Sequence, residues 1–319
     1  MKFMKKYDVA IIGAGPGGMT AGLYAARANL KVAMIDRGVY GGQMNNTAEV
    51  ENYPGFPSIM GPELGEKMYQ SATKQGVEFI YGDVQGIEIN GKKRIVKLEN
   101  DDDSIEAKAV IIGTGSSNRK LGIPGEQEYS GKGVSYCAVC DGAFFKDENV
   151  VVVGGGDSAV SEGLYLANVT DNVNVVHRRD QLRAEKILQN RAFKNPKMDF
   201  TWDSEVTEIV GDENKMTGVK VHNKKTGEDK IVNAAGAFIY IGNVPNSQPF
   251  QDLGITDKNG WIITNDQMET KISGIYAIGD VRQKQLRQII TAVGDGGIAG
   301  QNAYEYIESL NDKNEEVTA

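Results

Sequence analysis

Two stretches of the chain repeat one pattern: an apolar run, a cluster of glycines, a segment rich in Ala and Leu, and a second apolar run. The first copy is Tyr7 to Ile12 (YDVAII), Gly13-Ala-Gly-Pro-Gly-Gly18, Met19 to Ala28, and Lys31 to Asp36 (KVAMID). The second is Asn149 to Val153 (NVVVV), Gly154-Gly-Gly-Asp-Ser-Ala159, Val160 to Ala167, and Asn172 to Val176 (NVNVV). Short apolar runs bounded by glycine predict buried strands, and the segments that follow the glycines predict helices. Each copy therefore opens as strand, tight turn, helix, strand.

The intervening segments have a different rhythm. Ile87 to Leu98 (IEINGKKRIVKL) alternates apolar and charged residues and predicts a hairpin, after which Ala109 to Gly115 (AVIIGTG) predicts a strand returning to the first unit. The second unit has the same habit, with a hairpin over Met216 to Val232, a turn at Thr226-Gly227, and a closing strand at Gly236 to Gly242. Beyond Pro245 come Gly274-Ile-Tyr-Ala-Ile-Gly-Asp280 and a predicted helix from about Gln288, and the polar tail after Leu310 is expected to fray. The length of 319 residues exceeds the roughly 100–200 of one domain. The predicted fold class is α/β, with two Rossmann-like, three-layer ββα dinucleotide-binding domains. The expected arrangement is an insertion, with residues 1–117 and 246–319 forming one domain and 118–245 the other.

Charge narrows the partners. A formal net charge of -8 argues against a broad nucleic-acid or anionic-membrane surface, which needs concentrated Lys and Arg. The basic start, Met1 to Lys6, leads into a run broken by Asp8 and Gly13, so it reads as a first buried strand rather than a signal peptide. No stretch has the 18 or more apolar residues of a membrane span, and the expected location is the cytoplasm.

In a GxGxxG/A turn the backbone approaches a pyrophosphate, whose charge is received by amides and the dipole of the following helix. The residue ending the second strand then sorts the two sites. Asp36, 18 residues beyond Gly18, is an acceptor suited to a ribose with free hydroxyls and repels an added phosphate. In the second unit His177 takes that place and is followed by Arg178, Arg179 and Arg183. Guanidinium groups bind phosphate oxygens through charge-assisted hydrogen bonds, so this cluster fits the 2′-phosphate of NADPH; its plainer reading is a solvated basic patch.

The only cysteines are Cys137 and Cys140, in Cys-Ala-Val-Cys followed by Asp141. A disulfide closing so short a loop restrains the unfolded chain by only about 2 kcal/mol, which is a weak structural reason for it. Zinc would need further ligands, and the only histidines are His177 and His222. Thiol–disulfide exchange fits better, with Asp141 as the nearest acid or base; the alternatives for Asp141 are a helix cap or a surface carboxylate.

These residues carry a resemblance. GAGPGG at 13–18, GGQ at 41–43, ENYPGF at 51–56, CAVCDG at 137–142, GGGDSA at 154–159, HRRD at 177–180, GIYAIGDV at 274–281 and LRQI at 286–289 are similar to the bacterial low-molecular-weight thioredoxin reductases over nearly the whole chain. The resemblance implies an FAD site lined by Gly13, Gly15, Pro16, Gly17, Asp36, Arg37, Gly41, Gly42, Gln43, Asn52, Val84, Thr114, Gly115, Gly279, Asp280, Arg287, Gln288 and Ile289. It implies an NADPH site at Gly154, Gly156, Asp157, Ser158, Ala159, His177, Arg178, Arg179 and Arg183. It also implies that Cys137 attacks a thioredoxin-like partner, that Cys140 faces the flavin, that Asp141 is the acid, and that the protein is a homodimer whose inserted domain rotates. Two positions depart from the family pattern: Gly113 stands where Ala is usual, and Asp157 stands where an amide is common, placing a negative charge near the expected pyrophosphate.

Other readings remain at this stage. A peroxiredoxin-reductase flavoprotein would carry a thioredoxin-like domain ahead of the first turn, for which a turn starting at Gly13 leaves no room. A ferredoxin- or oxygen-linked flavoprotein would have no need of the arginine cluster. A nucleotide-sensing redox binding protein would bind the same groups without turnover.

Overall fold

The computed structural model describes residues 4–47, 49–99 and 104–318, except the side chains of Val139 and of residues 311–318. The chain divides into two compact units, one comprising Met1–Asn45, Glu49–Ser117 and Val244–Ala319, the other Asn46–Ala48 and Asn118–Asn243.

In the first unit the parallel strands Glu78–Tyr81, Val32–Asp36, Lys5–Ile12 and Ile105–Ile112 lie side by side in that order. Ile105–Ile112 then forks. Its first half pairs antiparallel with Lys93–Leu98, itself paired with Val84–Asn90, and its second half pairs parallel with Ile275–Ala277. The expected hairpin thus extends the main sheet. Alternate residues of each strand face opposite cores: Val9, Ile11 and Met34 join Met19, Tyr276 and Ile307, while Ala10, Ile12 and Ile35 join Val96, Leu98 and Phe250. Burial on both faces explains why these strands read as continuous apolar runs.

The second unit repeats the plan. A parallel sheet runs Val134–Ser135, Gly236–Tyr240, Asn149–Gly154, Asn172–Val176, Met198–Thr201. Helices Asp157–Val169 and Lys186–Lys194 cover the face carrying Val150, Val152 and Phe238. The other face, with Val151, Val153 and Ile239, packs on an antiparallel sheet of Ser204–Gly211, Met216–Asn223 and Asp229–Asn233. The predicted hairpin is the last two strands of that sheet; Ser204–Gly211 is an addition.

Helices Gly61–Thr73 and Lys186–Lys194 are also additions. The final helix, Ile289–Thr318, runs through the segment expected to fray. The chain leaves and re-enters the first unit through short strands, Ser116–Asn118 and Asn243–Pro245, which pair with each other. Among the described residues no helix is long and apolar enough to cross a membrane.

Candidate functional site

Strand register brings the first set of site residues together. Ile12, Ile35, Ile112 and Ala277 align across neighbouring parallel strands, so the segments beginning at Gly13, Asp36, Gly113 and Ile278 leave the same carboxyl edge. That edge is where open α/β sheets bind ligands.

The glycines there have separate physical roles. A Cβ on Gly13, at φ +108°, would fall 2.3 Å from Gly113 O, and one on Gly18 1.9 Å from Gly13 O; both are required by the protein's own packing. Gly17 is closely packed too, since its Cβ would lie 3.0 Å from Ala292 O. Gly15 is different, since its Cβ would meet nothing within 4 Å. A bare backbone with open space over it, at the N-cap of helix Pro16–Arg27, is a cradle for a pyrophosphate. Gly42, at φ +57°, closes on the same point, with its Cβ position 3.2 Å from Gly15 Cα. Gly41 joins it through a hydrogen bond from its N–H to Ala14 O.

Asp36 accepts the N–H of Ala14 at 2.7 Å on Oδ2 and that of Gly38 at 2.9 Å on Oδ1, which fixes its carboxylate beside the turn. Arg37 next to it is exposed. Gln43 donates to Ser116 O, Asn52 Nδ2 lies 3.2 Å from Gln288 Oε1, and Thr114 Oγ1 donates to Asn246 O at 2.6 Å. Gly115 takes φ +68°, and its carbonyl accepts the N–H of Asn246. Val84 is buried opposite Leu98 in the sheet.

Beyond Ala277 lies a charge cluster that sequence reasoning missed. Asp295 is buried and accepts from Arg282 Nη1 at 3.0 Å, Lys284 Nζ at 2.7 Å and the Gly279 N–H at 2.9 Å. Burial pushes the Asp280 carboxyl up, against the pull of Lys284 and Arg287. Arg287 lies over the Trp261 ring at 3.7 Å, and Ile289 begins the long helix. The only sequence signal was Arg282 and Lys284 after Asp280 and the acid Asp295 inside a glycine-rich stretch, with no shared period.

In the second unit Gly154 sits beside Tyr240, and strands Asn149–Gly154 and Asn172–Val176 bring the glycine turn next to His177. A Cβ on Gly155 would strike the His177 imidazole at 2.5 Å, whereas one on Gly156 would meet nothing within 4 Å. Gly156 is therefore the counterpart of Gly15, at the N-cap of helix Asp157–Val169, with Ser158 exposed and Ala159 buried.

His177 lies beneath the exposed arginines rather than among them at the surface. It is buried under Gly155, edge-on to Trp202, and burial together with Arg183, Arg179 and Arg178 pushes its pKa down. The three arginines are exposed, and none makes an ion pair with a described residue. Gly155 O accepts the N–H groups of Arg183 at 2.6 Å and Ala184 at 3.2 Å, which straps the arginine loop to the glycine turn. Asp157 completes that strap by accepting the Glu185 N–H at 2.7 Å. The departure at this position thus has a role in the protein's own framework.

Cys137 and Cys140 form a disulfide, with Cα atoms 5.4 Å apart, at the start of the short helix Ala138–Asp141. Cys137 is half-buried and Cys140 exposed, and the Cys137 sulfur accepts the Cys140 N–H at 3.1 Å. Asp141 does not cap this helix with its side chain: Oδ2 accepts the Ser135 hydroxyl at 2.7 Å, and that same hydroxyl accepts the Cys137 N–H. Behind the helix, Tyr240 OH accepts the Ala138 N–H at 2.9 Å. Among the described residues no group of three or more His, Cys, Asp or Glu is placed to hold a metal.

The family model described as pyridine nucleotide-disulphide oxidoreductase matches residues 7–296. A thioredoxin reductase of Listeria monocytogenes is 56% identical over 308 residues, covering 97% of this chain and 96% of that protein. A thioredoxin reductase of Bacillus subtilis is 55% identical, covering 97% of both. The crystal structure of the Lactococcus lactis thioredoxin reductase superposes with a TM-score of 0.93 at 54% identity, covering 95% of this chain and 99% of that one. Paired open glycine turns and one short-loop disulfide, matched along nine-tenths of the sequence, have one explanation: the chain belongs to the pyridine nucleotide-disulphide oxidoreductase family.

Proposed function

We propose that this chain is an NADPH-dependent thioredoxin-disulfide reductase that uses FAD. The observation that carries the reading is the accessible Cys137–Cys140 disulfide, set in the same unit as a glycine turn strapped to the loop that carries the exposed Arg178, Arg179 and Arg183. Gly15, Gly42 and Asp36 would hold the pyrophosphate and ribose of FAD, and Gly156 with Arg178, Arg179 and Arg183 would hold NADPH, whose 2′-phosphate the guanidinium groups would meet. The flavin, when bound, supplies the carrier between a two-electron hydride donor and a disulfide sulfur.

The chain's own residues do the thiol chemistry. Once the pair is reduced, a Cys137 thiolate, stabilised by the Cys140 N–H, attacks the partner's disulfide to form a mixed disulfide. Cys140 attacks Cys137, restores the internal disulfide and releases the partner as a dithiol. Asp141, oriented by Ser135, is placed to give and recover the proton. Thioredoxin as partner is supported by the names of the two relatives above. The resemblance also implies a homodimer, and the sequence pattern supports a cytoplasmic location and an insertion in which 118–245 interrupts the FAD domain.

Anaerobic titration of the purified protein with NADPH, followed by flavin absorbance, tests the reading. Bleaching on NADPH and recovery on oxidised thioredoxin are the expected result. Bound flavin that bleaches yet never passes electrons to thioredoxin would refute it.

A further inference from the structure

Behind the disulfide lies a carboxylate that the chemistry above does not use. Glu162 sits on helix Asp157–Val169, with its Oε2 sealed from solvent and without a hydrogen-bond partner. The helix packs with Ala138 and Tyr240 in one core, the Tyr240 hydroxyl holds the Ala138 N–H in the first turn of the Cys137–Cys140 helix, and the Glu162 charge raises the proton affinity of that phenol. The Asp141 charge raises the proton affinity of the same phenol, as the smallest of its influences.

We propose that Glu162 is a proton acceptor coupled through Tyr240 to the Cys137–Cys140 couple, so that reducing the disulfide draws a proton from water onto Glu162. Two electrons break the S–S bond; one sulfur takes a proton, the other remains a thiolate, and the Glu162 carboxylate takes a second proton. The added charge is thereby balanced. Like charges in a poorly solvated region raise each other's proton affinity, and the coupling is reciprocal: a Glu162 anion opposes thiolate formation as much as a thiolate opposes Glu162 ionisation.

Burial alone pushes Glu162 up to about 7, which places its titration in the working range. Nothing packed on its helix offsets that. Lys186, Arg191 and Lys194 on the neighbouring helix and Asp199 on Met198–Thr201 have no resolved effect on it, and Tyr240, pushed well up by burial and by Glu162, stays neutral. As a positioning residue, Tyr240 keeps the buried Ala138 amide satisfied throughout.

The inference rests on the pair being redox-active, and it is tested without NADPH or thioredoxin. The flavin-loaded protein is equilibrated anaerobically with oxidised and reduced dithiothreitol from about pH 5.5 to 8.5, and the free thiols are alkylated and counted by mass. Wild type and E162Q should have the same exchange constant at the acid end, where Glu162 is protonated in both redox states. At the alkaline end E162Q should be the more readily reduced by about threefold or more. Curves that stay parallel at every pH overturn the inference and leave the proposed function standing. A pair that no dithiol ratio reduces defeats the proposed function instead. Should E162Q not fold, the infrared difference spectrum of wild type carries the test: reduction at about pH 7.5 must generate a protonated-carboxyl band, and its absence overturns the inference.

Discussion

Gly154 and Gly156 look alike in the sequence, yet the structure gives them opposite consequences. A side chain on Gly154 meets Tyr240 O at 2.3 Å from a φ of +148°, so G154A should destabilise the fold by about 1–3 kcal/mol. G156A, in open space at φ -94°, should leave the melting temperature within a degree or two and raise the KM for NADPH by about tenfold or more, because its methyl occupies the cradle. Thermal unfolding with steady-state kinetics separates the two, and a G156A protein that is unstable with normal KM would contradict the assignment. The arginines act at the same scale. R178A/R179A should lower the NADPH/NADH ratio of kcat/KM by about 10²-fold or more, since each guanidinium contact to a phosphate is a charge-assisted pair. An unchanged ratio would return the cluster to a solvated patch. The sequence showed which residue types gather at the turn, but not that His177 is buried beneath Gly155 or that Asp157 anchors Glu185, because those contacts depend on a loop closing back in space.

Close contact between helices Pro16–Arg27 and Ile289–Thr318 positions the first glycine turn. Gly296 and Gly300, one turn apart, face the first helix: a Cβ on Gly296 would lie 2.3 Å from Gly17 O and one on Gly300 2.7 Å from Ala21 O. G300A should therefore destabilise the protein by about 1–3 kcal/mol, although alanine is the better helix former, and denaturant unfolding should show the loss. A neutral or stabilising effect would mean that the helices separate freely. This contact illustrates what was legible at the level of elements. Strands and helices beside the glycine turns were readable, because burial on both faces imposes apolar runs and the turn fixes where a helix starts. The helix Gly61–Thr73 was not, since Gly61, Pro62 and Gly65 look like breakers; Gly65 packs against Gly41, and Pro62 occupies the first turn, where no intrahelical N–H is needed. Ser204–Gly211 was missed because Glu205, Thr207 and Glu208 interrupt its apolar positions, and its pairing with Met216–Asn223 carries two irregularities of register.

At the scale of the whole chain, each unit has its own cores on both faces of its own sheet, although only the second is nearly continuous in sequence. A unit whose strands come from one stretch can form without the rest, whereas a unit completed by Ile275–Ala277 and Ile289–Thr318 must wait for distant residues. The fragment 118–243 should therefore fold alone, unfold cooperatively, keep its Cys137–Cys140 pair and be retained on immobilised 2′,5′-ADP, with R178A/R179A abolishing retention. Residues 1–117 alone should not yield a folded flavin-binding protein, because the second half of Ile105–Ile112 would keep Lys5–Ile12 on one side but lose Ile275–Ala277 on the other. Circular dichroism, thermal melting and affinity retention decide the matter. If 118–243 were disordered while the intact chain is stable, the nucleotide cradle at Gly156 would depend on residues outside its own unit, and the expected insertion of one self-sufficient domain into another would be wrong.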